Sequence, residues 1–218
     1  LINGEQLTGT VVIEGPTAGG HNAPPRGDAP LSERGEPVYG DRDRVDLAKM
    51  RGLGVPFWIA GGAGHPERLR AALAEGAAGV QVGGLFACCD ESGIEPGLRR
   101  SVVEHAARGE ADVFTDPHAS PTGYPFKVVR WLADPSQAVE RERVCDLGYL
   151  RLAYRKPSGD IGYRCASEPE ATYVAKGGDL ADTVGRRCLC NSLMATVGHA
   201  QVRADGTLEP PLVTGGDD

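Results

Sequence analysis

The sequence predicts an α/β protein built on a parallel sheet, and three observations carry that expectation. Short apolar runs end on glycine. An amphipathic segment separates two of them at the spacing of a strand–helix–strand unit. A long loop rich in Gly, Pro, Asp and Arg follows the first run. The runs cover residues 10–14, 56–60 and 79–83, and each is brief and β-branched or aromatic. Strands buried on both faces need no polar side, so such runs read as continuous rather than alternating.

The elements follow in order. After the first run, residues 15–54 show no sustained period except over 43–50, where a short helix is expected. A helix over 66–75 joins the second and third runs. Pro66 suits its first position, Leu69, Ala72 and Leu73 share one face, and Gly76 ends it. Strand, helix and strand at this spacing imply a parallel pair with a right-handed crossover. A helix over 96–108 comes next, then a Pro-punctuated stretch over 115–125 and a helix over 135–146. From 147 onward glycines and turns dominate, as in Pro157-Ser158-Gly159-Asp160 and Lys176-Gly177-Gly178. The expected division is a sheet-bearing part over 1–134 and a glycine- and cysteine-rich C-terminal extension over 135–218.

Composition narrows the function classes. Of 218 residues, 40% are hydrophobic and 24% charged, with a formal net charge of −7. That balance and the lack of a dense Lys/Arg face argue against nucleic acid as a partner. No apolar stretch reaches the ~20 residues that span a bilayer, so no membrane partner is expected. The chain starts Leu1-Ile-Asn-Gly-Glu, without Met and without a basic segment leading into an apolar one. A secretory signal is therefore not read there, and the expected location is the cytoplasm. A homo-oligomer stays open.

The chemistry begins at Ala18-Gly19-Gly20-His21-Asn22. Gly19 and Gly20 at a strand end let backbone approach a flat ligand without a Cβ in the way. His21 then projects where an imidazole, titrating near neutrality, can take a proton from an activated carbon. The plainer alternative is a loop histidine that hydrogen-bonds backbone. Ala60-Gly61-Gly62-Ala63-Gly64 lies between a strand and a helix, and Gln81-Val82-Gly83-Gly84 follows the next strand. Paired glycine turns on successive strands offer backbone N–H groups to an anion such as a phosphate. Asn22 and Arg26 sit in the histidine's own loop as candidate substrate contacts. Arg26 is either a partner for nitro or carboxylate oxygens or a solvated loop residue. Around Asp116-Pro117-His118-Ala119-Ser120, a turn satisfied by Asp and Ser is the stronger reading, with His118 reaching a site as the weaker one.

These motifs, in this order, resemble those of the nitronate monooxygenase family, over roughly residues 10–92. The resemblance implies an FMN-dependent (β/α)8 TIM barrel with a histidine base beside the flavin. It implies that His21 takes that role, that Gly61, Gly62, Gln81, Val82, Gly83 and Gly84 hold the FMN phosphate and ribityl chain, and that Gly19 and Gly20 approach the cofactor. A barrel of eight strands takes ~250 residues, so three strands would be its C-terminal part, with the earlier strands upstream of Leu1 and this chain a fragment. The implied reaction oxidises alkyl nitronates or nitroalkanes with O2 to carbonyl compounds and nitrite. Related barrels reduce enoyl thioesters, which is the alternative enzyme reading. Most members carry Thr where Gly84 stands, and the run Asn22-Ala23-Pro24-Pro25-Arg26-Gly27 is longer than the usual turn after the histidine.

Six cysteines remain. Cys88 and Cys89 are expected to pack beneath the mouth of the sheet. Cys145, Cys165, Cys188 and Cys190 read as buried reduced thiols, with a zinc or iron–sulfur site as the alternative and no metal ligand assigned. A metal-stabilised interaction module is the corresponding non-enzymatic alternative.

Overall fold

The first and third apolar runs flank the second in one parallel sheet. The computed structural model describes residues 9–28, 30–131 and 142–217. Strand β1 (Val11–Glu14) pairs with β2 (Phe57–Ala60), and β2 with β3 (Gly79–Gln81), in the order β1-β2-β3. The last row in register is Glu14, Ala60 and Gln81. Two further antiparallel pairs make the chain mixed α/β.

Helix α1 (Leu47–Gly52) starts at Asp46, whose side chain accepts a hydrogen bond from Lys49 N. This is later than the helix expected over 43–50, because residues 41–43 form a separate 3₁₀ turn and the Asp46 cap sets the true start. Helix α2 (Pro66–Ala74) begins on proline as expected, and Gly76 follows it with φ 85°. Its buried contact is narrower than the predicted face. Ala72 is 4% exposed, but Leu69 and Leu73 are 38% and 50% exposed. Phe57, Ala72 and Ala77 make the centre of this core, with Val11, Ile13, Leu47, Met50, Ile59 and Val80 around it. Helix α1 therefore packs on this core through Leu47 and Met50, and helix α2 through Ala72.

Beyond β3 come the short α3 (Gly84–Ala87) and α4 (Pro96–Ala107). Then β4 (Asp112–Asp116) and β5 (Phe126–Arg130) form an antiparallel pair that the sequence reading did not foresee, on either side of the Pro-punctuated stretch. The other edge of β5 is occupied too. Lys127 N donates to Gly20 O, Asn22 N to Pro125 O, and Val129 N to Val213 O. Strand β5 thus ties the loop after β1 to the far C-terminal segment. The long loop is pinned to β4 as well, since Arg34 donates to both Asp112 oxygens and Glu36 Oε1 accepts from Thr115 N.

The hairpin β6 (Leu152–Arg155) and β7 (Ile161–Arg164) turns at the expected Pro157–Asp160 segment, with Gly159 at φ 91°. Helices α5 (Glu170–Ala175) and α6 (Leu189–Thr196) follow. Of the helix expected over 135–146, residues 142–146 are irregular and the rest lies outside the described residues. Two cores hold this half. Ala119, Phe126, Val128, Leu189 and Leu212 form one, and Val102, Val129, Trp131 and Val213 the other. Among the described residues, no helix is long and apolar enough to cross a membrane.

Candidate active site

Cavities open at the end of the sheet, and two of them share Glu14. The first has a volume of about 330 Å³, and Ala60, with Glu14 and Gln81 beside it in register, forms its floor. Gly19, Gly20, Gly61, Gly83 and Gly84 line its walls, so six of the eight predicted cofactor residues come together there. Gly62 and Val82 do not line it. Its size falls at the lower end of the ~300–1,000 Å³ usual for small-molecule sites.

The glycines serve two different needs. A Cβ on Gly61 would lie 2.5 Å from Ala18 N and 2.7 Å from Thr17 Oγ1, so this glycine lets the second loop touch the first. A Cβ on Gly83 would meet nothing within 4 Å. Nothing in the protein packs against Gly83, so the cavity is open on that side. Among the described residues, the N–H groups of Gly61, Gly83 and Gly84 have no hydrogen-bond partner, which leaves donors for an anion or a flat polar ring.

The second cavity, about 210 Å³, holds His21, Asn22 and Arg26 together with Glu14, Gly15, Tyr39 and Asp43. The candidate base thus lies beside the glycine cavity rather than on its wall. Asn22 is 5% exposed; its Nδ2 donates to Ala18 O, while Oδ1 is buried without a partner among the described residues. An orphaned buried acceptor is costly and uncommon, and it fits a site designed to receive a donor. Arg26 is exposed and holds the Asp43 carboxylate through its backbone N–H, at 2.8 Å.

His21 is fixed from two sides. Its ring meets Phe126 edge-on with centroids 4.8 Å apart, and Nε2 lies 2.7 Å from Ser120 Oγ. Ser120 is fully buried; its Oγ accepts from Thr122 N and lies 2.8 Å from Thr122 Oγ1. When the Ser120 proton points to Thr122, Nε2–H donates to Ser120 and Nδ1 keeps its lone pair. Burial pushes the His21 pKa below its ordinary value, which favours the neutral ring. In sequence Ser120 reads only as a turn residue. Its neighbours bear the turn out, since Asp116 Oδ1 accepts from His118 N and Ala119 N. His118 lines neither cavity.

The cysteines lie elsewhere. Cys88 and Cys89 are exposed, against the expectation that they pack beneath the sheet, because the short α3 turns them outward. Among the described residues, no group of three or more His, Cys, Asp or Glu side chains is arranged to hold a metal. Cys145 instead pairs with Cys165. That hydrogen bond, helped by Arg151, brings the Cys145 thiol down to about 6 and pushes Cys165 up. Iodoacetamide is therefore expected to alkylate Cys145 at neutral pH with a rate midpoint near 6, ahead of the other five thiols. Labelling followed by peptide mapping checks this, and an ordinary midpoint above 8 at Cys145 would refute it.

A family model described as "Nitronate monooxygenase" matches residues 5–115, about half of the chain. The chain is also similar to the "Probable nitronate monooxygenase" of Bacillus subtilis (strain 168), with 36% identity over 104 residues. Those residues make up 48% of this chain and 28% of that protein, so the chain spans well under a third of the relative's length. His21 and the glycine loops fall inside the matched span of the family model, whereas Ser120 and Phe126 lie beyond it.

Proposed function

Because this chain belongs to the nitronate monooxygenase family, we propose that it forms part of an FMN-dependent oxidase of alkyl nitronates and nitroalkanes, with His21 as the base. The observation that carries the reading is the pair of adjoining cavities at the C-terminal end of one parallel sheet, one walled by glycine loops and the other holding His21. Barrel enzymes build their sites at that end. The strand order β1-β2-β3, with each outer strand paired on one side only among the described residues, supports the C-terminal part of a (β/α)8 barrel. Val12 and Trp58, 42% and 38% exposed, give such a sheet apolar surface to cover.

The residues present fit a flavin. Gly61, Gly83 and Gly84 offer backbone donors to the phosphate and ribityl chain, and the open space at Gly83 gives room for it. A bound flavin would supply the redox chemistry that, with O2, takes the substrate to a carbonyl compound and nitrite. The protein's part is positioning and proton handling. His21 Nδ1 takes the acidic α-proton while Nε2–H stays on Ser120, which keeps the ring oriented. The edge contact with Phe126 stops the ring from turning away. Arg26 meets the nitro oxygens, and the orphaned Asn22 Oδ1 receives a donor from the ligand.

The visible spectrum tests this reading first. The protein, prepared as this chain and with its natural upstream sequence, is expected to show flavin bands near one equivalent in the longer form. A colourless longer form would remove the basis of the oxidase reading.

A further inference from the structure

The glycine cavity has a wall that comes from the other end of the chain. Leu212 and Val213 are 1% and 4% exposed and belong to the two C-terminal cores. From that anchor the chain runs across the loop after β1. Thr214 Oγ1 accepts from Gly20 N at 2.9 Å, and Asp217 N donates to Thr17 O at 3.0 Å. Between them Gly215 and Gly216 press against Gly19, where a Cβ would come within 2.7 Å of Gly215 C and 2.9 Å of Gly216 N. Thr214, Gly215 and Gly216 then line the same cavity as Gly61, Gly83 and Gly84.

An ion pair between a buried lysine and a half-exposed carboxylate fastens this strap. Lys127 on β5 has a side chain only 3% exposed, and its Nζ donates to Asp217 Oδ1 at 2.7 Å and to Thr115 Oγ1 at 2.9 Å. A lysine so placed needs its carboxylate partner, because an unpaired buried charge is strongly unfavourable. The side chain of Thr214 and the backbone of Asp217 are thus committed to holding the strap in place. The N–H groups of Gly215 and Gly216 are not; among the described residues neither has a hydrogen-bond partner. Backbone donors left open on a cavity wall are what a bound anion or ring carbonyl uses.

We infer that the C-terminal strap Thr214–Asp217 is a cofactor-binding element, with the Gly215 and Gly216 amides donating to the flavin and Lys127 latching the strap through Asp217. The inference rests on the flavin reading and adds a site that lies 194 residues from Gly20, the residue its Thr214 holds. It also explains why Gly19 must lack a side chain: the strap, not the ligand, fills the space beside it.

The test uses the natural chain containing this sequence and FMN as the probe. FMN affinity is read by fluorescence quenching, and amide hydrogen exchange over residues 212–217 is followed with and without FMN. Saturating FMN is expected to slow exchange at Gly215 and Gly216. Gly216→Pro, which removes one donor, and Thr214→Val, which frees the strap from Gly20, are each expected to weaken FMN binding about tenfold, as loss of one good hydrogen bond does. FMN binding by the unsubstituted chain with unchanged exchange over 212–217 would overturn the strap's role and leave the flavin reading standing. Failure of the unsubstituted chain to bind FMN at all would bring down both. Because the exchange measurement needs no substitution, a variant that folds poorly does not shield the inference.

Discussion

His21→Ala is expected to lower turnover of neutral nitroalkanes by about 10²–10⁴-fold, the usual worth of a placed general base, while flavin stays bound. Preformed nitronates have already lost the proton, so their turnover should fall far less. That difference separates a base from a residue that only shapes the cavity. Because burial holds the His21 pKa below the ordinary imidazole value of about 6.5, kcat/KM for a nitroalkane should rise with pH and reach its plateau by neutrality. Stability follows the same sign. The folded chain binds its proton at lower pH than the unfolded chain does. The contribution of His21 is therefore fully present above about pH 6.5 and is lost as the pH falls toward the folded value. Steady-state rates on both substrate forms across pH 5–8 check the prediction, and a variant fully active on nitroalkanes would end the assignment.

The second large effect lies at Phe126. This residue is 2% exposed, sits in the core with Leu189 and Leu212, and supports the His21 ring edge-on. Phe126→Ala should cost about 3–5 kcal/mol, since deleting a buried aromatic loses transfer energy and leaves a cavity. For a chain of this size that amounts to a fall in Tm of roughly 6–20 °C. The same change releases the ring of His21, so the remaining folded protein should lose kcat on nitroalkanes more than it loses flavin affinity. Thermal melts and FMN titration of the variant read the two effects separately. A melt unchanged within 2 °C would contradict the packing described for β5.

The parallel sheet was legible because β1, β2 and β3 are short apolar runs closed by glycine, and because Pro66 and Gly76 mark both ends of α2. The pair β4 and β5 was not legible. Nothing local to Lys127 signals burial, yet it is buried against Asp217 and Thr115, partners 90 and 12 positions away. The candidate site divides in the same manner. His21 and most of the glycines declare themselves locally, since a strand end followed by Gly-Gly has few other uses. Ser120 looks like an ordinary turn hydroxyl, and only the pairing of β5 with Gly20 and Asn22 brings it to the imidazole. The strap offers still less, because Thr-Gly-Gly-Asp carries no periodicity and its contacts are all long-range.

The placement of β5 bears on how such chains can be recombined. Its outer edge hydrogen-bonds the histidine loop at one end and Val213 at the other. A chimera that takes the glycine loops from one relative and everything after residue 115 from another would therefore join a base to a foreign backstop. Crossovers that preserve function should keep residues 17–22, 115–130 and 212–217 from the same parent, although these three segments are far apart in the sequence. They behave as one inherited block, and a library built on that block should yield more active members than one cut at the ends of secondary-structure elements.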